Sequence, residues 1–235
     1  MVSLSIFFPC HNEQDHVERM ARRALEVGRT ITVDLEVIIV NDGSTDRTGA
    51  IADELASEDP SLRVIHHPRN MGYRAALRSG FTQASKEWVF YTDGDGQFDI
   101  GELPAIVPLT GESDIISCFR IDRQDPWTRR VYSHAWNQLV RVVVGLRMRD
   151  VNCAFKLFRR EIFQRIEMNS HGTFIDTEIL TRAQRQGYRI TQRGVRHYPR
   201  TSGAPCGANP RIVLQAFREL FRLRRGILSE SAKGS

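Results

Sequence analysis

The sequence predicts an α/β fold, with a mainly parallel central sheet and helices on both faces. Three observations carry this. Short runs rich in β-branched or aromatic residues alternate with segments of helical periodicity through the first half of the chain. Polar clusters follow the first, second and fourth of those runs, where ligands of such sheets bind. A hydrophobic content of 41% over 235 residues suffices for the core of one large domain, or of a domain with an appendage.

The expected strands are Leu4–Phe8, Leu35–Val40, Leu62–His66, Trp88–Thr92 and Ile115–Cys118. Helical patterns between them cover about Glu13–Val27, Asp46–Ser57 and Gly72–Ala84. In Pro9-Cys10-His11-Asn12-Glu13 the strand is expected to stop at the proline, with Asn12 as N-cap and Glu13 in the first turn of the helix. Ser44, after the Asp42-Gly43 turn, is the expected cap of the second helix. Beyond Phe119 a polar loop, Asp122–Pro126, leads into Trp127–Leu146, which reads as one or two amphipathic helices. A strand at Ala154–Phe158, a helix near Ile175–Gln186 and a strand-like run at Tyr188–His197 follow, with no internal repeat. The second half is expected to complete the first domain.

From Arg200 onward seven basic residues accompany two acidic ones, which accounts for the whole net charge of +5. Interleaved with Phe217, Leu220, Phe221, Leu223, Ile227 and Leu228, they describe a basic amphipathic helix that either lies on an anionic membrane or docks on the domain. No apolar run reaches the roughly 18 residues of a membrane span, and Met1–Pro9 reads as a buried strand without a basic leader. The expectation is a soluble or membrane-peripheral cytoplasmic protein. Cys10, Cys118, Cys153 and Cys206 lie too far apart for a zinc knuckle or a disulfide framework, and no nucleic-acid signature is present.

The most informative stretch is Asp93-Gly94-Asp95-Gly96-Gln97, directly after Trp88–Thr92. Carboxylates at i and i+2 on glycine-rich backbone share one side, where they can hold a hard cation against a diphosphate. An Asp-Gly turn is the local alternative. Asp42 stands at another strand end, where its carboxylate can accept from the N–H groups of a guanine or uracil ring. His66-His67 reads as an exposed turn without nearby carboxylates, while His171 and His197 gain no partner from spacing. Trp127 and Trp136 line a lipid groove or pack inside.

Taken in order, Pro9-Cys10-His11-Asn12-Glu13, Val40-Asn41-Asp42-Gly43-Ser44-Thr45-Asp46, Arg69-Asn70-Met71-Gly72 and Asp93-Gly94-Asp95-Gly96-Gln97 resemble glycosyltransferase family 2, inverting enzymes of the Rossmann-like GT-A fold. Within it the nearest likeness is to dolichyl-phosphate mannose synthase and bacterial polyprenyl-phosphate glycosyltransferases. The resemblance implies Mg²⁺ or Mn²⁺ on Asp95 and Gln97, with Pro9, His11, Glu13, Val40, Asp42, Asp93 and Gly94 around the nucleotide sugar. It implies Arg120 and Arg200 at the diphosphate, so that Asp95, Arg120 and Arg200 carry the chemistry, and Arg129 and Ser133 at a lipid phosphate. Asp150-Val151-Asn152-Cys153-Ala154-Phe155-Lys156-Leu157 resembles the family's acceptor-side block. Two features depart from the family: Thr201–Gly207 lacks the usual lysine, and the membrane-spanning C-terminus of some members is missing.

The implied reaction moves a hexose, mannose or glucose, from GDP-mannose or UDP-glucose to a polyprenyl or dolichyl phosphate at the inner membrane face, with a membrane-protein partner as an option. A phosphate acceptor, with a second pKa of about 6, needs no base. A hydroxyl acceptor needs one, for which Asp176 or Glu178 is the candidate unless both merely open a helix. A non-catalytic sugar-nucleotide module is the rival from another class. The expected organisation is a domain at 1–210, with a nucleotide-sugar half at 1–119 and an acceptor half at 120–210, then a basic tail at 211–235.

Overall fold

The computed structural model of the chain describes residues 2–121, 127–169, 174–199 and 216–226. Seven strands form one sheet: β1 (Leu4–Cys10), β2 (Leu35–Asn41), β3 (Leu62–His66), β4 (Trp88–Thr92), β5 (Ile115–Ile121), β6 (Phe155–Arg159) and β7 (Ile190–Arg196). Their order is β3-β2-β1-β4-β6-β5-β7. β6 runs antiparallel to both β4 and β5, and the other pairings are parallel.

The α-helices are α1 (Val17–Ile31), α2 (Thr48–Glu58), α3 (Tyr73–Gln83), α4 (Trp127–Val144), α5 (Ile162–Arg165), α6 (Ile175–Arg185) and α7 over 216–226. Gly28 of α1 lies against Ile6, and Gly80 of α3 against Phe7. Neighbouring residues of a strand point to opposite faces, so α1 and α3 cover opposite faces of the sheet. Right-handed crossovers explain this: β1 to β2 to β3 steps one way along the sheet, and β3 to β4 steps back. On the α3 face Phe7, Phe81, Tyr91, Phe158 and Phe163 form an aromatic cluster with centroids 4.1–6.3 Å apart.

The strands match expectation closely; two helix starts do not. β1 continues through Pro9 to Cys10, pairing with β2, after its ladder to β4 has ended at Phe7↔Tyr91. α1 starts at Val17 and not at Glu13, because Asn12 is left-handed (φ 56°) and turns its side chain to the Thr45 amide. Ser44 likewise does not cap α2: its hydroxyl accepts from the Asn12 amide, and Asp46 Oδ1 accepts from Thr48 N. Trp127–Val144 is a single helix. In α7 Leu220 and Leu223 are buried and Phe217 packs edge-on against Trp136 of α4 at 5.9 Å, so this part of the tail docks on the domain.

Candidate functional site

The strand order reverses between β1 and β4, and the crevice outside their carboxyl ends is where such sheets take ligands. The turn after β4 closes on β1 there. A Cβ on Gly94 would lie 2.6 Å from the Pro9 carbonyl oxygen and 2.8 Å from Cys10 Sγ, so only glycine lets the two strand ends meet. The loops after β1 and β2 are stitched together by Asn12, Ser44, Thr48, Asp46 and Gln14, and His11 Nδ1 lies 2.9 Å from the Asp42 carbonyl oxygen.

Asp93 and Asp95 both reach this crevice from one turn. Asp93 Oδ1 accepts from Tyr73 OH at 2.8 Å, and Asp95 Oδ1 accepts from the Gln97 amide at 3.1 Å. Burial first, and then the Asp95 charge, push the Asp93 carboxyl up to about 7. Two half-buried acids that repel each other at a strand end, with a side-chain amide oxygen on Gln97 close in sequence, suit a hard divalent cation, which would relieve the repulsion. Gln97 also holds the chain after β7: its Nε2 donates to Tyr198 O at 3.2 Å, and its own carbonyl accepts from Tyr198 N at 2.9 Å. With the amide nitrogen so engaged, Oε1 is the atom left to face a metal.

Other expected residues have unexpected partners. Asp42 is buried, and its carboxylate accepts from Met71 N (2.8 Å) and Gly72 N (2.8 Å) and meets His67 Nδ1 (2.7 Å). It therefore fastens the 69–72 loop rather than presenting a bare carboxylate to a base. Gly43, at φ +63°, fits under that loop, where a Cβ would meet the Arg69 backbone at 2.1 Å. Val40 is fully buried in β2 and presents no surface to the crevice. Glu13 is half-buried and donates its amide to Thr48 Oγ1. The two histidines, expected to lack carboxylates, have one each: His66 Nε2 meets Asp53 at 2.9 Å and His67 meets Asp42.

Arg120, expected to open its fork to phosphates, places Nε 2.6 Å and Nη2 3.0 Å from the two oxygens of buried Asp150. Ser133 is half-buried in α4. The Arg129 side chain, Arg200, His171 and Thr201–Gly207 lie outside the described residues. The two base candidates do open α6, and both are buried, at 4% and 2% exposure. Asp176 Oδ1 accepts from Tyr91 OH and lies 3.2 Å from Lys156 Nζ, while Glu178 pairs with Arg182 at 3.2 Å. Two participants escaped the sequence reading. Tyr73 directly follows the Arg69–Gly72 motif, a signal that could have marked it; Lys156 stood within the block already quoted, and only the sheet register shows it opposite Tyr91.

The chain is 36% identical over 203 residues to glycosyltransferase AglD of Haloferax volcanii, covering 81% of this chain and 32% of that protein. It is 33% identical over 189 residues to the undecaprenyl-phosphate 4-deoxy-4-formamido-L-arabinose transferase of Serratia proteamaculans, covering 77% of this chain and 57% of the relative. The chain thus spans about a third to just over half the length of these relatives. Among solved structures, glucosyl-3-phosphoglycerate synthase from Mycobacterium tuberculosis, in complex with Mn²⁺, UDP-glucose and phosphoglyceric acid, superposes with a TM-score of 0.74. That match has 19% identity and covers 95% of this chain and 80% of the other, a likeness of fold. The model of the family described as "Glycosyl transferase family 2" matches residues 5–167, and the chain belongs to that family.

Proposed function

We propose that this chain transfers a sugar from a nucleoside diphosphate to a polyprenyl phosphate at a membrane surface, with inversion at the anomeric carbon. The observation that carries the donor half is the Asp93–Asp95 turn set into the β1/β4 crevice. Mg²⁺ or Mn²⁺ on Asp95 and Gln97 Oε1 would offset the charge that develops on the departing diphosphate. Asp93, held by Tyr73, stands on the nucleotide side, beside Pro9, His11 and Glu13. Asp42 acts by placing the 69–72 loop around the base. Arg120 works as a fixed pair with Asp150, and Arg200 supplies a second guanidinium fork to the diphosphate.

An acceptor phosphate oxygen forms the new bond to the anomeric carbon from the face opposite the diphosphate, which leaves with the electron pair of the broken bond. A dianionic phosphate has no proton to lose, so positioning by Arg129 and Ser133 suffices. The burial of Asp176 and Glu178 on partners of their own supports this over a hydroxyl acceptor, which needs a reachable base. The polyprenyl-phosphate relative points the same way. The reading takes 1–210 as one catalytic unit, because β6 from the acceptor half is an inner strand between β4 and β5. It places the unit on the inner membrane face, with α4 and the tail toward lipid.

Purified chain with Mg²⁺ or Mn²⁺, labelled GDP-mannose or UDP-glucose and a short polyprenyl phosphate tests the proposal. A lipid-linked sugar of inverted configuration is expected. Nucleoside diphosphate release only with a hydroxyl acceptor would move the acceptor assignment; donor binding with no release would make the chain a binding module.

A further inference from the structure

We propose that Asp176 is a positioning residue that cancels the charge of Lys156 behind the Asp93–Asp95 turn, and is not a base. The inference rests on the donor-site reading above and deepens it. Lys156 has no exposed surface and sits in β6 directly opposite Tyr91 of β4. Its ammonium donates to Tyr91 OH at 3.1 Å and to the Cys153 carbonyl, and lies 3.2 Å from Asp176 Oδ1. Tyr91 OH donates to that same carboxylate oxygen. An ammonium this deep requires a counter-ion, and Asp176 at the start of α6 is that counter-ion.

Asp93 follows Tyr91 by two residues, roughly 7 Å along the backbone, so the pair on the Tyr91 hydroxyl lies behind the metal turn. At that range an unbalanced ammonium would oppose a bound cation. Paired, Lys156 and Asp176 cancel, and the Asp95 carboxylate meets a divalent ion without that opposing charge behind it. Lys156 and Tyr91 are thereby kept packed without a penalty at the site.

Mn²⁺ binding, read from the spectrum of the free ion by electron paramagnetic resonance, tests this without donor or acceptor. Asp176→Asn keeps an acceptor for Tyr91 but leaves the lysine charge uncancelled, so binding should weaken by about tenfold. The double variant Asp176→Asn/Lys156→Met removes both charges and should return affinity to within about twofold of the unchanged chain. A base, or a merely structural role, predicts lost turnover or stability with unchanged Mn²⁺ affinity and no rescue; that result overturns the inference. Should Asp176→Asn not fold, Lys156→Met alone decides: it leaves the Asp176 charge uncancelled, so tighter Mn²⁺ binding than in the unchanged chain supports the assignment, and unchanged or weaker binding refutes it. An unchanged chain that binds no Mn²⁺ would instead remove the metal half of the proposed function, and this inference with it.

Discussion

Asp93 and Asp95 share a turn but not an environment, and their substitutions should differ accordingly. Asp93 accepts from the Tyr73 hydroxyl, whereas Asp95 accepts from the Gln97 backbone amide, and the proposed function gives the first to the nucleotide and the second to the metal. Asp95→Ala should abolish metal-dependent turnover, and Asp93→Ala should chiefly weaken nucleotide binding; parallel titrations of metal and nucleoside diphosphate separate the two. Equal, full activity in both would reduce the motif to a turn. Gly94→Ala places a methyl 2.6 Å from the Pro9 carbonyl, backbone that has no room to retreat in a central strand. It should cost about 1–3 kcal/mol in thermal unfolding and lower nucleotide affinity by displacing both acids. The i, i+2 acids were legible because a strand end fixes the sides of its own neighbours. The partners of Asp42, Arg120 and Asp176 were not, because Met71, Asp150 and Lys156 reach them from other elements, and local spacing holds no record of such contacts.

At the scale of elements, Glu36 on β2 joins four segments. Its carboxylate accepts from Ser5 Oγ of β1 (2.6 Å), Arg63 Nε of β3 (2.9 Å), and the Ser85 amide (3.0 Å) and hydroxyl (3.1 Å) before β4. Burial pushes its pKa up, but these hydrogen bonds outweigh burial and hold it below the usual glutamate value. A depressed folded pKa contributes stability that is present above the unfolded value of about 4.3 and is lost as pH falls through the folded pKa. Glu36→Gln should therefore cost about 1–2 kcal/mol near neutrality and less on acidification, so the two stability curves converge below about pH 4. Urea unfolding across that range measures this, and parallel curves would show that Glu36 contributes no charge-linked stability. Strand positions were legible because β-branched and aromatic runs mark them directly. The start of α1 was not: Asn12 has the composition of a cap, but its left-handed backbone and bond to Thr45 serve the loop–loop junction instead.

For the molecule as a whole, the proposed polyprenyl phosphate acceptor raises the question of which side would face lipid. No helix among the described residues is long and apolar enough to cross a membrane. α4 nonetheless exposes Trp127 (74%), Val131 (55%) and Val142 (79%), which helical spacing places on one outward face, with Arg130, His134 and Arg141 along its flank. α7 packs against α4 through the Trp136–Phe217 contact, on the side of α4 turned away from Trp127, and carries its own half-exposed Phe221 beside exposed Arg218, Arg222, Arg224 and Arg225. The sequence left docking and membrane contact as alternatives for the tail; one helix can do both, because Leu220 and Leu223 point inward while its arginines stay in solvent. Aromatic side chains among basic residues favour an anionic lipid surface, through apolar insertion and charge together. The chain should therefore co-sediment with phosphatidylglycerol-containing vesicles, less with neutral ones, and less again as salt rises. Trp127→Ala/Val131→Ser should lower the bound fraction several-fold on both kinds of vesicle while changing stability by no more than about 0.5 kcal/mol, since both side chains are exposed. Arg224→Glu/Arg225→Glu should instead remove most of the preference for anionic vesicles and flatten the salt dependence. Binding that neither pair alters would assign the α4 face to a protein partner, and the polyprenyl phosphate would then have to enter from that partner and not from the bilayer beneath α4.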